Sequence, residues 1–148
     1  MNAETCLRRA RPADAAELLP LIEAFCRVDG HAFERPRIEA ALAPLLQDDR
    51  YGLVWLIGEP AVGYAVVTWG YSLESGGRDA LLDEIFVAKR GQGLGAQAVR
   101  DLLADLARRG ISRIFLETES HNEQVRRFYR RLGFQTEDSI WMSREIHD

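Results

Sequence analysis

One stretch of this sequence decides the fold: Leu81-Leu82-Asp83-Glu84-Ile85-Phe86-Val87-Ala88-Lys89-Arg90-Gly91-Gln92-Gly93-Leu94-Gly95. It predicts an apolar strand, a turn with three glycines in five residues, and a helix that begins near Leu94. Glycines let backbone N–H groups approach a ligand closely, and the helix points the positive end of its dipole at the same place. The stretch therefore predicts an anion site of the kind that most often holds a phosphate or pyrophosphate.

The overall composition is that of one soluble globular domain. The chain has 148 residues, of which 47% are hydrophobic and 28% are charged, and this is enough to bury a core. We therefore predict a single domain over residues 1–148. The net charge of −4 gives no support for nucleic-acid binding, which usually appears as a basic domain.

Cysteine and histidine spacing gives no sign of a disulfide framework or a metal site. Cys6 and Cys26 lie 20 residues apart, and His31, His121 and His147 are scattered. The N-terminal residues lack a signal-sequence pattern, and no apolar run approaches the roughly 18 residues of a membrane helix. We expect a cytoplasmic protein with no metal and no membrane partner.

The pattern of apolar residues predicts the order of elements. Residues 6–10 predict a strand, Asp14 caps a first helix, and residues 37–46 predict a second helix. Residues 51–57 and 61–71 predict an antiparallel hairpin, followed by the strand at 81–87. The helix after the glycine turn should end near residue 109. Beyond it we expect a strand at 111–118, a helix that ends at Gly133, and short strands at 134–136 and 140–144.

The predicted order is β-α-α-β-β-β-α-β-α-β-β. It indicates a mixed α/β domain of the α+β class, with about four helices around a largely antiparallel sheet of six or seven strands.

Three kinds of glycine turn compete for the central stretch. A P-loop needs a lysine and a hydroxyl residue after its last glycine, and neither follows Gly95. A dinucleotide fold fits better, because Gly93-x-Gly95-x-x-Ala98 matches the relaxed fingerprint and Glu117 lies about 20 residues on. However, only 29 residues follow Glu119, too few for the rest of a doubly wound sheet. A purely structural turn is the remaining alternative.

Two motifs carry a resemblance to a known family. Arg90-Gly91-Gln92-Gly93-Leu94-Gly95 resembles the (Gln/Arg)-x-x-Gly-x-(Gly/Ala) signature of the GNAT superfamily of N-acetyltransferases. Residues 122–134 are similar to that family's Asn-x-x-Ala-x-x-x-Tyr-x-x-x-Gly-Phe helix, with Val125 in place of the usual alanine. The predicted order of elements also resembles that of the family, so the likeness covers nearly the whole chain.

The resemblance implies acetyl-coenzyme A as the cosubstrate. Its pyrophosphate would sit on backbone N–H groups of the glycine turn, and Arg90 would add a charge-assisted contact unless it is only a solvated surface residue. Its pantetheine arm would pair with the edge of the preceding strand, as an added strand does. The expected cofactor-binding residues are Ile85, Phe86, Val87, Arg90, Gln92, Gly93, Leu94, Gly95, Ala96 and Asn122.

The second motif implies a general acid. By the resemblance, Tyr129 would protonate the departing thiolate, and its ordinary pKa of about 10 lies close to that of a thiol. The alternative is that Tyr129 is a core residue beside Phe128. Asn122 lies seven residues earlier, on the same side of a helix, and is either a ligand contact or an ordinary helix-start residue.

The acceptor amine must lose a proton, and Asp83 and Glu84 are the candidate bases. Asp83 is favoured, because related polyamine and aminoglycoside acetyltransferases resemble one another in carrying an acid there. Neighbouring strand residues face opposite sides, so we expect only one of the two to point into the cleft. A water relay is the third option.

The acceptor is expected to be a small cationic amine. The loops at 29–35 and 72–78 should form the cleft, and acids with aromatic rings suit a cation. They bring Asp29, Glu34, Glu74, Phe33, Trp69 and Tyr71. The stretch from Gly63 to Val87 also resembles diamine and polyamine acetyltransferases. Acetylation of a protein N-terminus or lysine is one alternative, and a catalytically silent acetyl-coenzyme A-binding module is another. The resemblance is also compatible with a homodimer.

Overall fold

The computed structural model describes residues 5–89 and 91–147. They fall into two compact units that divide between Glu117 and Thr118. Arg90, which was expected to contact the cofactor, lies outside the described residues.

The first unit is built on a five-stranded sheet. Its strands are β1 (Leu7–Arg9), β2 (Gly52–Ile57), β3 (Gly63–Ser72), β4 (Gly77–Val87) and β5 (Ile114–Phe115), and their order in space is the order in the chain. Neighbouring strands pair antiparallel, except that β4 and β5 pair parallel. The predicted mixed α+β class and largely antiparallel sheet are confirmed, with five strands in the described residues rather than six or seven.

Four helices accompany the strands, as predicted. They are α1 (Ala15–Asp29), α2 (Arg35–Gln47) and α3 (Leu94–Arg108) in the first unit and α4 (Glu123–Arg131) in the second. Asp14 is the N-cap residue of α1, but its carboxylate accepts a hydrogen bond from the backbone N–H of Arg11 at 2.7 Å, not from the helix. Gly30 ends α1 in the left-handed conformation that favours glycine.

The predicted C-terminal strands are not formed. The strand expected at 111–118 shortens to Ile114–Phe115, and residues 134–136 and 140–144 pair with no strand in the described ranges. Ile140, Trp141 and Met142 are all exposed. An alternating pattern fixes a strand only where one face is buried against something, and here no described neighbour supplies that face.

The sheet of the first unit is covered on both faces. Helices α1 and α2 pack against one face, where Val54, Leu56, Tyr64 and Val66 join their buried side chains. Strand β2 is buried at every position, so its alternate residues must be covered on the other side as well. Helix α3, with buried Val99 and Leu102, contacts β1 and β4. Within the described residues no helix is long and apolar enough to span a bilayer.

Candidate active site

A β-bulge interrupts the pairing of β3 with β4 at the two predicted acids. Val66 lies opposite Glu84 while Val67 lies opposite Leu82, so Asp83 is an extra residue on β4. Val66 and Val67 point to opposite faces, and therefore Leu82 and Glu84 do too, although residues two apart on a regular strand share a face. Simple alternation fails at this point and does not assign the faces of Asp83 and Glu84, so the expectation that only one of them points into the cleft stays a prediction.

A buried tyrosine holds Glu84. Tyr64 of β3 is fully buried, and its hydroxyl donates a hydrogen bond to Glu84 Oε1 at 2.7 Å. The rings of Phe25 and Phe86 pack against Tyr64, with centroids 6.3 and 6.4 Å from its own. Burial raises the pKa of Tyr64, and the charge of Glu84 raises it further. The phenol therefore keeps its proton and stays the donor.

The pKa values of both acids at the bulge, Asp83 and Glu84, are raised. The pKa of Glu84 is raised, first by burial and then by the charges of Asp83 and Asp29. The Tyr64 hydrogen bond and His31 act in the opposite direction and lower this pKa. Partial burial also raises the pKa of Asp83, although its side chain is the more exposed of the two. Carboxyl groups whose pKa values are raised toward neutrality are suited to accept a proton in catalysis.

The end of α1 adds further charge around Glu84. His31 Nε2 lies 2.7 Å from Asp29 Oδ2. The thiol of Cys26 is buried, and its pKa is raised by burial first and then by the charges of Glu84 and Asp29. The start of the loop at 29–35 therefore lies in the electrostatic surroundings of Glu84, and its place in a substrate cleft stays a prediction.

The other loop that was expected to form the cleft lies elsewhere. Residues 73–76 are the turn of the β3–β4 hairpin, and Ser72 pairs with Gly77 at its base. Glu84 lies seven residues farther along β4, roughly 23 Å away at the ordinary rise of a strand. Trp69, near that end, donates through Nε1 to the Asp49 carbonyl at 2.7 Å. Glu74 and Tyr71, at the turn end of the hairpin, are therefore remote from the bulge.

Beyond Leu81, β4 has an open edge. Strand β5 pairs with β4 only at Ala80 and Leu81, whereas β3 follows the opposite edge as far as Val87. No described strand covers residues 82–87 on the β5 side. An extended, amide-bearing ligand needs such an edge to pair with Ile85, Phe86 and Val87.

The glycine turn depends on its backbone conformation. Gly91 and Gly93 have φ angles of 81° and 71°, in the left-handed region that favours glycine. A Cβ at either position would meet nothing within 4 Å, so crowding is not the reason for glycine there. The turn shape itself requires both residues.

The start of α3 leaves backbone donors without a cap. Gly93 is the N-cap residue and offers no side chain, and the first turn carries no acid. The Gln97 N–H donates to the Gly93 carbonyl at 3.1 Å as the first intrahelical bond. The N–H groups of Leu94, Gly95 and Ala96 precede it and have no intrahelical acceptor. Next to the exposed Gln92, this arrangement favours an anion.

In the second unit, Tyr129 lies among aromatic rings. Phe128 and Phe134 contact it edge-on, at centroid distances of 5.1 and 5.4 Å. Burial raises the pKa of Tyr129 to about 12. The near match to a thiol pKa that its ordinary value predicted is therefore wrong, and the phenol holds its proton firmly at neutral pH.

Asn122 has the helix-start role. Its Oδ1 accepts a hydrogen bond from the Val125 N–H at 3.1 Å and so caps α4. Glu123, the first residue of α4, accepts hydrogen bonds from Arg126 and Arg130, each at 2.9 Å. The side-chain NH2 of Asn122 takes no part in the cap.

Sequence reasoning missed Tyr64. The one signal in the sequence was a tyrosine inside an apolar strand, since a buried hydroxyl needs a hydrogen-bond partner. The partner, Glu84, lies 20 residues away, and it faces Tyr64 only because of the register and the bulge.

Over the described ranges, no group of three potential ligand side chains could hold a metal ion.

Comparison with known proteins shows the family of the chain. The sequence profile of the Acetyltransferase (GNAT) family matches residues 17–134. No curated protein matches the chain. Among solved structures, an integron cassette protein from the mobile metagenome of Cole Harbour Salt Marsh is similar at 29% identity and a TM-score of 0.84, covering 97% of this chain and 91% of that one.

Two further structures are similar. A proposed acetyltransferase from Arthrobacter sp. FB24 has 28% identity and a TM-score of 0.85, covering 99% of this chain and 98% of its own. The ribosomal-protein-alanine N-acetyltransferase of Brucella melitensis biovar Abortus 2308 has 22% identity and a TM-score of 0.72, covering 94% and 97%. The second likeness is one of fold alone.

Proposed function

The chain belongs to the Acetyltransferase (GNAT) family and is an N-acetyltransferase, and from this we propose that it moves an acetyl group from acetyl-coenzyme A to the primary amine of a small cationic acceptor. The single observation that carries the choice of acceptor is the bulge on β4. There Glu84, with its raised pKa, is surrounded by Asp83 and Asp29. A cationic amine would be attracted to this charge and would find a proton acceptor in it.

We assign the cosubstrate to β4 and the start of α3. The open edge of β4 suits the amides of a pantetheine arm at Ile85, Phe86 and Val87. The uncapped helix start suits a pyrophosphate. The residues that would hold it are Gln92, Gly93, Leu94, Gly95 and Ala96, with Arg90 and the free amide of Asn122 as further contacts. When bound, acetyl-coenzyme A supplies the activated acetyl thioester.

The chain's own residues would move two protons. The carboxylate of Glu84, or of Asp83, would first take a proton from the ammonium group, directly or through water, so that the neutral amine nitrogen can bond to the acetyl carbon. The carbon–sulfur bond breaks, and the sulfur receives the phenol proton of Tyr129. The nitrogen then loses its second proton to water, from which the Tyr129 phenolate is reprotonated. Since burial raises the pKa of Tyr129 to about 12, its hydroxyl is protonated at neutral pH, as a proton donor must be.

Of the two acids, Glu84 has the stronger support as the base. It is the less exposed, and the Tyr64 hydroxyl fixes one of its oxygens. Asp83, which the family likeness favoured, would then add negative charge that attracts the amine. The remaining surroundings, with the Phe25 and Phe86 rings near Tyr64, suit the apolar part of a small amine.

The test is an acetyl-transfer assay. Thiol release from acetyl-coenzyme A is measured with small diamines, polyamines and aminoglycosides, and with peptides that have a free N-terminus or a lysine. We expect turnover with small amines. Turnover with peptides alone would establish the protein-acetyltransferase alternative. Coenzyme A binding without turnover of any amine, and without any effect of Tyr129→Phe, would establish a silent binding module.

We further propose that the chain forms one cytoplasmic domain and a homodimer. The family match runs from residue 17 to residue 134, across both compact units, which favours a single domain. Ile140, Trp141, Met142 and Ile146 are all exposed large apolar residues, and such groups favour contact with a second copy. Light scattering after size exclusion measures the oligomeric state.

A further inference from the structure

We propose that Tyr64 is a positioning residue for the acetyl transfer: its hydroxyl occupies Oε1 of Glu84 and so presents Oε2 to the proton of the acceptor amine. This inference rests on the proposed function of Glu84 as the base. Tyr64 itself touches neither cosubstrate in this scheme and acts only through Glu84.

The geometry gives the contact its direction. The Tyr64 hydroxyl lies 2.7 Å from Oε1, a short distance typical of a hydrogen bond to a charged acceptor. Among the described residues, the hydrogen-bond donor found at Glu84 is Tyr64, and it binds Oε1 rather than Oε2. A glutamate side chain otherwise has several rotamers, and one firm contact at one oxygen selects the rotamer and the direction of the other oxygen.

Aromatic packing fixes the tyrosine in turn. Phe25 of α1 and Phe86 of β4 both contact the Tyr64 ring, and they contact each other with centroids 6.2 Å apart. The three rings form a small cluster that links one helix and two strands. Because Tyr64 is fully buried, its hydroxyl cannot swing away to solvent.

The core itself gives no reason for a hydroxyl at this position. Tyr64 belongs to the apolar cluster with Leu18, Ile22 and Val66, where a phenylalanine ring would fill the same space. A buried hydroxyl is tolerated only with a partner, and Glu84 is the one acceptor assigned to this hydroxyl among the described residues. The hydroxyl is therefore explained by Glu84 and not by packing.

Several groups act on the charge of Glu84 from the surrounding elements. Asp83 on β4 and Asp29 at the end of α1 oppose ionisation, whereas Tyr64 on β3 and His31 after α1 favour it. The Cys26 thiol of α1 is neutral, because burial and neighbouring charges raise its pKa. Without the Tyr64 hydroxyl, His31 alone would counter the rise in the Glu84 pKa that Asp83 and Asp29 cause.

The decisive variant is Tyr64→Phe, with Tyr51→Phe as the matched control because Tyr51 is exposed and outside the site. The kcat/KM for a small amine is measured against pH. In Tyr64→Phe, we expect the acid limb of the kcat/KM profile to move to higher pH by roughly one unit. We also expect kcat at neutral pH to fall roughly tenfold. The KM for acetyl-coenzyme A should not change, and Tyr51→Phe should match the unsubstituted protein.

A direct titration separates this inference from the proposed function. With 13C-labelled glutamate, the Glu84 carboxyl signal is the one lost in Glu84→Gln, and its pKa should rise in Tyr64→Phe. This readout needs no turnover, so it still tests the contact if no amine is acetylated. An unchanged Glu84 titration and an unchanged pH profile, with only lower thermal stability, would overturn the inference in favour of a structural role.

A second substitution covers the case in which Tyr64→Phe does not fold. Replacing Tyr64 by 3-fluorotyrosine keeps the ring and the hydroxyl but makes the phenol a stronger donor. The acid limb and the Glu84 pKa should then both move to lower pH, opposite to the effect of Tyr64→Phe. A shift to higher pH, or no shift in either quantity, would contradict the positioning role.

Discussion

The backbone N–H of Cys6 donates a hydrogen bond to the carboxylate of Asp101 at 2.9 Å and so ties the start of the chain to α3. The same Asp101 oxygen accepts from the Thr5 hydroxyl at 3.1 Å, and its other oxygen accepts from Gln97 at 2.9 Å. Helix α3 carries the proposed pyrophosphate site at its first turn. Asp101 therefore anchors the helix that the cosubstrate would bind.

Asp101→Asn should destabilise the protein at neutral pH by about 1–2 kcal/mol, because the amide cannot accept all of these hydrogen bonds. Burial opposes the charge of Asp101, but hydrogen bonds from Cys6, Thr5 and Gln97 hold its pKa below the ordinary value. A lowered folded-state pKa gives stability above the unfolded pKa, and this stability is lost as pH falls through the folded pKa. Denaturant unfolding should show a deficit at pH 7 that shrinks below about pH 4.

Gly93→Ala should weaken cosubstrate binding and destabilise the protein by about 1 kcal/mol, because φ is 71° at this position. Gly110→Ala is the matched control, since Gly110 has φ 80° and equally open surroundings, and it follows the other end of α3. Both variants should unfold at lower denaturant concentration. Only Gly93→Ala should raise the KM for acetyl-coenzyme A, and an equal KM in the two variants would argue against a pyrophosphate at the turn.

Glu84→Gln should lower kcat by at least about 10²-fold, the smaller end of the range for a lost general base. It should also stabilise the protein by roughly 0.5–2 kcal/mol at pH 7, because the substitution removes a partly buried charge that is unfavourable in the folded state. The sign follows from the raised pKa of Glu84, since the folded state then loses stability as pH rises from the unfolded pKa through the folded one. A loss of both activity and stability would indicate a structural role.

With Glu84 as the proposed base, the same raised pKa should set the pH dependence of the unsubstituted enzyme. Only ionised Glu84 can accept a proton, so kcat/KM should fall as pH drops through a value above the ordinary glutamate pKa of about 4.3. A pH–rate profile with a small amine measures this limb. Loss of the limb in Asp83→Asn but not in Glu84→Gln would reassign the base to Asp83.

Trp141→Glu should weaken self-association. Trp141 is 74% exposed, and Ile140 and Met142 beside it are more exposed still. A charge among these apolar groups would be costly to bury against a second copy. Light scattering should show a dimer for the unsubstituted protein and a larger monomer fraction for the variant at equal concentration, whereas equal masses would place any interface elsewhere.

The fold and the family could be predicted from the sequence because their signals are local. The 3–4 spacing of apolar residues in α1 and α3 and the glycines around Gly93 act within a few residues. The two family motifs lie at the start of α3 and along α4, and the match of the family profile to residues 17–134 confirms the family. The two short C-terminal strands could not be predicted reliably, because alternation alone does not supply a pairing neighbour.

The details of the site depend on register, which no local pattern encodes. The bulge at Asp83 is visible only when Val66 and Val67 are matched with Glu84 and Leu82. The hydrogen bond from Tyr64 follows from that match. The raised pKa of Tyr129 depends on burial among rings that sequence alone does not place. These features therefore follow only from the three-dimensional structure.

The central claim is tested most directly by following the acetylated amine itself. Purified protein is incubated with acetyl-coenzyme A and a small diamine, and the mono-acetylated product is measured by mass spectrometry together with thiol release. We predict equal amounts of acetyl-amine and free thiol, both lowered at least about 10²-fold in Glu84→Gln with the KM for acetyl-coenzyme A unchanged. Thiol release without acetyl-amine, or a Glu84→Gln variant as active as the unsubstituted protein, would contradict it.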